Sequence, residues 1–423
     1  MRAAKYTKIY LICALAMGMF GCSRQLPADE GAYGEKVVLE AYGWSDEEEN
    51  MKLLAEAYEK THPDIKVNIN LIPGSEYIQQ LAVLNQRGGE VDCILTSFPA
   101  SALAMANKGL IQKIDPYGET ENAFYPDWYG EEEICKSYML PYRMGQWVVY
   151  YNKTLFDRMG VPYPKENWTW EEYAETAKRL TGVMNGKKTY GSLSFEPDSI
   201  WWMTPARSAG AMNPLEEEDL DEMEKAAKWC YDLTYVSGAQ IPYTEQTGGR
   251  ASNYDALFLN GNIGMYFCGD WSVQSLNRKI REDDLEFEYD IAPLPHWEGK
   301  ESYGFANAAV VTMSATTEHP REVFSFMQFA AGEQGAKLLA ENSIIPAWQS
   351  DDIRQSYIQS VEQPEHAEYL FEEKKICMIP ADVSYNEAVD IVRDEVEKYL
   401  LKEQGLGKTF ADIEKKLKSL KGE

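Results

Sequence analysis

Between Lys36 and Gly109 the chain switches repeatedly between strand-like and helix-like hydrophobic patterns, and this alternation admits only a narrow set of folds. The run Lys36-Val37-Val38-Leu39-Glu40-Ala41-Tyr42 reads as a strand and ends at Gly43-Trp44. Ser45-Asp46-Glu47-Glu48 has the Ser-x-x-Glu spacing of a capping box with acids in the first turn, which predicts a helix start. Met51, Leu54, Ala55 and Tyr58 keep helical spacing until Thr61-His62-Pro63, after which Ile65, Val67, Ile69 and Leu71 alternate at period two. A helix from Tyr77 to Gln86 follows Gly74-Ser75, then a strand from Val91 to Thr96 and a helix ending near Gly109. Strands separated by helices predict an α/β fold with a largely parallel sheet, whose ligands sit beyond the carboxyl ends of the strands. Trp44, Ser97 and Phe98 occupy those ends.

The middle of the chain is richer in helix. Gln146 to Tyr151 is strand-like, and Thr169-Trp170-Glu171-Glu172 forms a second capping box. Glu216 to Tyr235 predicts a helix, Asn253 to Leu259 leads into a strand-like Gly264 to Cys268, and Phe287 to Ala292 is a strand closed by Pro293-Leu294-Pro295. Ala308 to Met313 predicts a strand, and Pro320 to Ala340 a helix with Val323, Phe326, Met327 and Ala330 on one face. No fixed-period repeat is present. At roughly 100–200 residues per domain, 423 residues predict two or three domains.

The amino terminus carries Arg2, Lys5 and Lys8, an apolar run from Ile9 to Phe20, and Gly21-Cys22, the order of a secretory signal. About 12 apolar residues cannot cross a hydrocarbon layer that needs about 20. Met19-Phe20-Gly21-Cys22 resembles a bacterial lipobox, so residues 1–21 are expected to be removed and Cys22 to be lipidated, with 22–34 as a polar tether to the membrane. A plain signal peptide with an incidental cysteine is the alternative. Of seven cysteines, Cys93, Cys135, Cys230, Cys268 and Cys377 remain beyond this segment, with no C-x-x-C pair. Their apolar contexts suit buried free thiols, and one disulfide is compatible with an exported protein.

Charge and motifs exclude several functions. A formal charge of −27 leaves no surplus of Lys and Arg to bind phosphate backbones, so nucleic acid is not an expected partner. Gly407-Lys408-Thr409 lacks the first glycine of a phosphate loop, because position 402 is Lys402. His62, His296, His319 and His366 are scattered, the acidic runs Asp46–Glu49, Glu216–Asp221 and Glu395–Glu397 lack calcium-loop spacing, and no Gly-x-Ser-x-Gly elbow occurs. The acidic runs read as solvated helix faces, and no metal, cofactor or catalytic set is expected. Aromatic residues make up 12% of the chain, and several tryptophans flank turn residues: Trp44, Trp201-Trp202, Trp271, Trp297 and Trp348. Trp147 and Trp229 fall within a strand and a helix and read as core. Flat rings at loops suit the carbon–hydrogen faces of a sugar, or, beside carboxylates, a cation.

A family resemblance rests on Leu140-Pro141-Tyr142-Arg143, Tyr150-Tyr151-Asn152-Lys153-Thr154-Leu155-Phe156, Gly160-Val161-Pro162 and Trp168-Thr169-Trp170-Glu171-Glu172-Tyr173. It continues through Ala256 to Gly261, Gly264-Met265, Gly269-Asp270-Trp271, Ala292 to Pro295, Arg321 to Ala331, Pro346-Ala347-Trp348, and Gly407 to Phe410 with Ile413 and Leu417. In these motifs the chain resembles the extracellular solute-binding proteins of ABC importers, in the carbohydrate-binding family, over nearly its whole mature length. The resemblance implies a two-lobe fold like that of periplasmic binding proteins, with lobe 1 from 35–142 plus about 304–348 and lobe 2 from 143–303 plus about 349–423. It implies a monomer that closes about a hinge on a carbohydrate and delivers it to permease subunits. The site residues it implies are Trp44, Tyr77, Ser97 and Phe98 from lobe 1, Trp202, Asp270 and Trp271 from lobe 2, and Tyr142, Arg143, Phe305, Asn307 and Trp348 near the hinges. Trp and Tyr would stack, while Asp270 and Arg143 would hydrogen-bond hydroxyls or an acidic group. A secreted carbohydrate-active enzyme, or a receptor of the same fold for a cationic or phosphorylated small molecule, are the competing readings.

Overall fold

The computed structural model describes residues 36–73, 76–86, 90–118, 132–184, 186–193, 201–242, 245, 254–371, 375–377 and 383–422. The expected signal, Cys22 and tether lie outside the described residues. Ten strands are described: β1 (Val37–Trp44), β2 (Ile65–Ile72), β3 (Cys93–Thr96), β4 (Met139–Asn152), β5 (Gly182–Met184), β6 (Lys187–Leu193), β7 (Ile263–Gly269), β8 (Tyr289–Ala292), β9 (Gly304–Met313) and β10 (Lys375–Cys377). Their order is β2-β1-β3-β9-β4-β7-β6-β5, with β10 beside β9 and β8 beside β4.

The first sheet follows from the alternation at the start of the chain. β1 pairs in parallel with β2 and β3, as right-handed strand–helix–strand units require. Leu39 and Ala41 on one face of β1 pack with Met51, Leu54, Ala55 and Tyr58 of the helix Glu48–Thr61, and with Val323, Phe326, Met327 and Ala330 of the helix Pro320–Ala331. On the other face Tyr77 and Leu81, with Ala102 and Met105 of the helix Pro99–Asn107, cover Ile94 and Val310. Helices thus pack on both faces: the central β3 is buried throughout and reads as a continuous apolar run, while β1 and the edge strand β2 keep a period-two alternation.

β4 joins this sheet to the second. Met139 to Gln146 lie antiparallel to β9, whereas Trp147 to Asn152 run between β7 and β8. The register with β9 shifts between Pro141 and Arg143, a bulge that accommodates a proline lacking the ladder's N–H. Two further segments lie along the same stretch: β9 itself, and 345–347, where Met144 N donates to Ile345 O and Ala347 N to Tyr142 O. Cores divide at this stretch, since Leu140 and Tyr142 belong with the first sheet, and Met144, Trp147, Val148 and Val149 with the second.

Several local expectations are revised. Ser45 does not cap: Ser45–Glu47 is a short 3-10 turn, the helix begins at Glu48 without a side-chain cap, and Glu47 turns inward. The helix expected from Pro320 to Ala340 is two helices, Pro320–Ala331 and Glu333–Glu341, broken where Gly332 takes an extended conformation. The helix Glu217–Tyr231 continues as a wider turn, Asp232–Val236. At Thr169 both halves of the capping box are formed, Glu172 N donating to Thr169 Oγ1 and Thr169 N to the Glu172 carboxylate. Cys93, Cys135, Cys230 and Cys268 are buried free thiols.

Candidate functional site

The polar residues that converge on the described body do so at the bulged stretch of β4, beside the carboxyl ends of β1 and β3. Glu47, at the end of the short turn that follows β1, is 1% exposed and accepts from Arg143 Nε at 3.0 Å, Arg143 Nη2 at 2.9 Å and Tyr142 OH at 2.6 Å. Asn50 Nδ2 donates to the same carboxylate at 2.9 Å. A bidentate guanidinium pair of this kind is strong because both partners stay planar and desolvated.

Two residues further along β4, Gly145 makes room for two other side chains. A Cβ there would lie 2.3 Å from Asn307 Oδ1 on β9 and 3.1 Å from Asp270 Oδ1 at the end of β7. Asp270 accepts from Gln146 N at 3.1 Å, and Asn307 Nδ2 donates to Ser97 O at 3.3 Å. Asn307 Oδ1 is buried with no hydrogen-bond partner. Burial lifts the Asp270 carboxyl to about 6, with Arg143 and the Gln146 N–H pulling in the other direction. Two acceptors therefore meet over Gly145.

Trp271 opens the helix Trp271–Glu282 immediately after Asp270. Its ring lies on the backbone of β7, because a Cβ on Gly269 would fall 1.9 Å from it. Its Nε1 donates to Tyr254 OH at 2.9 Å, and Trp147 meets it edge-on with centroids 5.9 Å apart. The half-buried indole is thereby held in one orientation.

The other expected site residues divide. Trp44, Ser97 and Phe98 are half-buried at the strand ends, and Trp348 is half-buried against the second core. Tyr77 is buried, and its hydroxyl donates to Tyr42 O at 2.9 Å and to Leu95 O, tying β1 to β3. Tyr142 is buried on Glu47. Trp202, expected in a loop, lies in the turn Trp201–Met203 at 1% exposure within the second core, where its ring has no free face. Trp297 is also core, its Nε1 donating to Pro205 O at 2.9 Å. Phe305 pairs with Ile376 through the backbone, and its side chain lies outside the described residues.

The sequence reading missed Glu47, Gly145 and Tyr254. Glu47 lies in an acidic run that reads as a solvated helix face, yet it follows a strand end, the placement that singles out Trp44.

Among the described residues, Asp290, Glu365 and His366 bring ligand-type atoms within 4.8 Å of one another. The Asp290 oxygens are already taken by Ile291 N, His366 N, Tyr151 OH and His366 Nδ1, and Glu365 pairs with Lys153 Nζ at 3.2 Å, so the group is accounted for by hydrogen bonds and an ion pair. No helix of the described residues is long and apolar enough to cross a membrane.

Comparison with known proteins agrees with this architecture. Residues 44–337 match the family model described as bacterial extracellular solute-binding protein. An uncharacterised lipoprotein of Streptomyces antibioticus is 23% identical over 344 residues, 76% of this chain and 72% of the relative. An ABC substrate-binding protein from Listeria monocytogenes in complex with cycloalternan superposes with a TM-score of 0.76 at 23% identity, covering 92% of this chain and 99% of the other. A sugar transporter from Rhizobium etli in an open conformation gives 0.73 at 24% identity over 90% and 99%. The fold is the two-lobe α/β arrangement of these structures.

Proposed function

Because the chain belongs to the bacterial extracellular solute-binding proteins, we propose that it captures a sugar or oligosaccharide outside the cytoplasmic membrane and passes it unchanged to the permease of an ABC importer. Residues 1–21 act as the signal, Cys22 carries the lipid, and 22–34 tether the folded body as a monomer. The lobes are 35–142 with about 304–348, and 143–303 with about 349–423. The division of cores between Tyr142 and Met144 supports this boundary, and the helix Glu333–Glu341 lies across it, with Leu339 in one core and Ala336 and Ala340 in the other.

The observation that carries the reading is the meeting of Asp270 and Asn307 over Gly145, close to an indole held flat at Trp271. A pyranose offers the complementary surface: hydroxyl donors around its edge and an apolar carbon–hydrogen face. Trp44, Ser97, Phe98 and Trp348 complete the proposed site. The cycloalternan held by the Listeria relative supports a carbohydrate ligand.

Titration of the soluble protein against a glycan panel, with mass spectrometry of the glycans recovered, tests the assignment. Binding with every glycan recovered intact is the expected result. Shortened products would establish an enzyme instead.

A further inference from the structure

The Arg143 guanidinium has two hydrogen-bonding edges, and Glu47 occupies one of them. Nε and Nη2 donate to the Glu47 carboxylate at 3.0 and 2.9 Å, a planar fork laid side-on against a planar acid. The other edge, Nη1 with the second hydrogen of Nη2, makes no hydrogen bond among the described residues. It is not sealed off. The Arg143 side chain keeps 14% of its surface exposed, and its Nη1 is not a buried atom left without a partner, as Nε of Arg207 is. Glu47 is clamped in turn by Tyr142 OH at 2.6 Å and Asn50 Nδ2 at 2.9 Å, so the guanidinium resting on it is held in one orientation. Burial would lower the Arg143 guanidinium, but Glu47 and Asp270 more than offset it, and the charge is kept.

The open edge lies among residues already placed in the proposed site. Trp44 closes the strand just before the turn that ends at Glu47, and Pro346, bridged to Arg143 across the strands, shortly precedes Trp348. Both indoles are half-buried. We propose that Arg143 is a ligand-binding residue that donates in parallel from its Nη1–Nη2 edge to two neighbouring oxygens of the sugar, and that Glu47 is the positioning residue that aims it. This assignment rests on the sugar-receptor reading and names a contact within it. Neighbouring oxygens of this kind occur in a pair of adjacent hydroxyls and in the carboxylate of a uronate, and either accepts from a fork of parallel N–H groups. A fork pre-set by a buried carboxylate loses little rotamer freedom on binding, whereas a lysine ammonium in its place is a point charge that does not span both oxygens.

The test is calorimetric titration of the full folded chain with maltotriose, mannotriose, glucose and mannose as hydroxyl probes and glucuronate as the carboxylate probe; the tightest binder identifies which oxygens are used. Arg143→Lys should weaken that probe at least tenfold. Glu47→Gln, which keeps the side-chain shape but loosens the hold on the guanidinium, should weaken it at least fivefold. This second loss should vanish when Glu47→Gln is made on Arg143→Lys, because a residue that only aims the fork has nothing left to aim. A merely structural Glu47 would lower affinity by the same factor in both backgrounds, and that result would overturn its assignment. Arg143→Lys binding as tightly as wild type would overturn the whole proposal. Wild-type protein supplies a measurement that needs no variant to fold: hydrogen exchange at the Arg143 Nη groups, followed by heteronuclear NMR, should slow at least tenfold at saturating probe. Unchanged exchange in a protein that binds the probe would overturn the proposal and leave the receptor reading intact. Cleavage of the probes, or binding of none, would remove the receptor reading and this proposal with it.

Discussion

In the proposed site, Asp270 is placed where stability and binding would make opposite demands. Its side chain is buried, and burial lifts its carboxyl to about 6, against an ordinary value near 4. A carboxyl raised in this way is more easily protonated folded than unfolded. Its charge therefore penalises the fold fully above about pH 6, and the penalty fades as pH falls toward 4. Asp270→Asn should remove a cost on the order of 2–3 kcal/mol at neutral pH and add a donor beside the unpartnered Asn307 Oδ1. The expected outcome is a higher melting temperature for the ligand-free variant at pH 7.5, a gain that disappears at pH 4.5, together with at least tenfold weaker sugar binding. A melting temperature that falls at both pH values would show that the carboxylate supports the fold. Trp271 is the complementary case. Its ring is fixed by Gly269, Trp147 and Tyr254 before any ligand arrives, so little rotamer entropy is lost on stacking. Trp271→Ala should weaken binding by about 2 kcal/mol or more, measured by calorimetry on a variant whose circular dichroism is unchanged. Sugar affinity equal to wild type would place the ring outside the site.

At the scale of elements, β4 decides the geometry. Its second half is apolar and was legible as a strand over Gln146 to Tyr151, but the structure extends it to fourteen residues, Met139–Asn152. The first half was unreadable because Pro141, Arg143 and Gly145 break a strand pattern unless something outside the strand accounts for them. Pro141 sits at the bulge, Arg143 is neutralised by Glu47, and Gly145 gives its side-chain space to Asn307 and Asp270. Gly145→Ala should therefore displace the Asn307 amide, costing about 1–3 kcal/mol of stability and at least tenfold in sugar affinity. Chemical denaturation and calorimetry on one preparation would check both effects, and unchanged affinity would mean that Asn307 has no part in binding. The Thr169 capping box formed as read because its partners are three residues apart. The equally regular Ser45 box did not, because its neighbour Glu47 has a stronger partner 96 positions away in Arg143.

For the whole molecule, the two cores meet along three adjacent segments and the helix Glu333–Glu341, and at the surface an exposed ion pair also links Arg278 to Glu49 at 3.1 Å. Such a surface pair contributes at most about 1 kcal/mol, too little to lock the lobes against a ligand that touches both. Saturating sugar at about 100 times its Kd should stabilise the protein by about 2.7 kcal/mol and reduce its radius of gyration in small-angle scattering. A scattering profile unaltered at saturation would exclude closure. The proposed anchor makes a separate prediction at this scale: Cys22→Ala should move the protein from the membrane fraction to the medium or periplasm without changing its affinity. Retention of the variant in the membrane would refute lipid tethering.

What the sequence determined unaided was whatever depends on near neighbours. The parallel strand–helix units and the apolar helix face at Val323, Phe326, Met327 and Ala330 are written in short-range periodicity and spacing, and the ordered motifs carry the family resemblance that implied two lobes. Tertiary structure alone decided which polar and aromatic side chains stay partly exposed at the strand ends and which are sealed into the fold. Trp202 and Trp271 both sit beside turn residues, yet one is sealed in the core and the other lies half-buried against a glycine. Glu47 belonged to an acidic run like two others, until chain crossing delivered Arg143 to it. Exposure and charge compensation are set by residues far away along the chain, and local pattern carries no record of them.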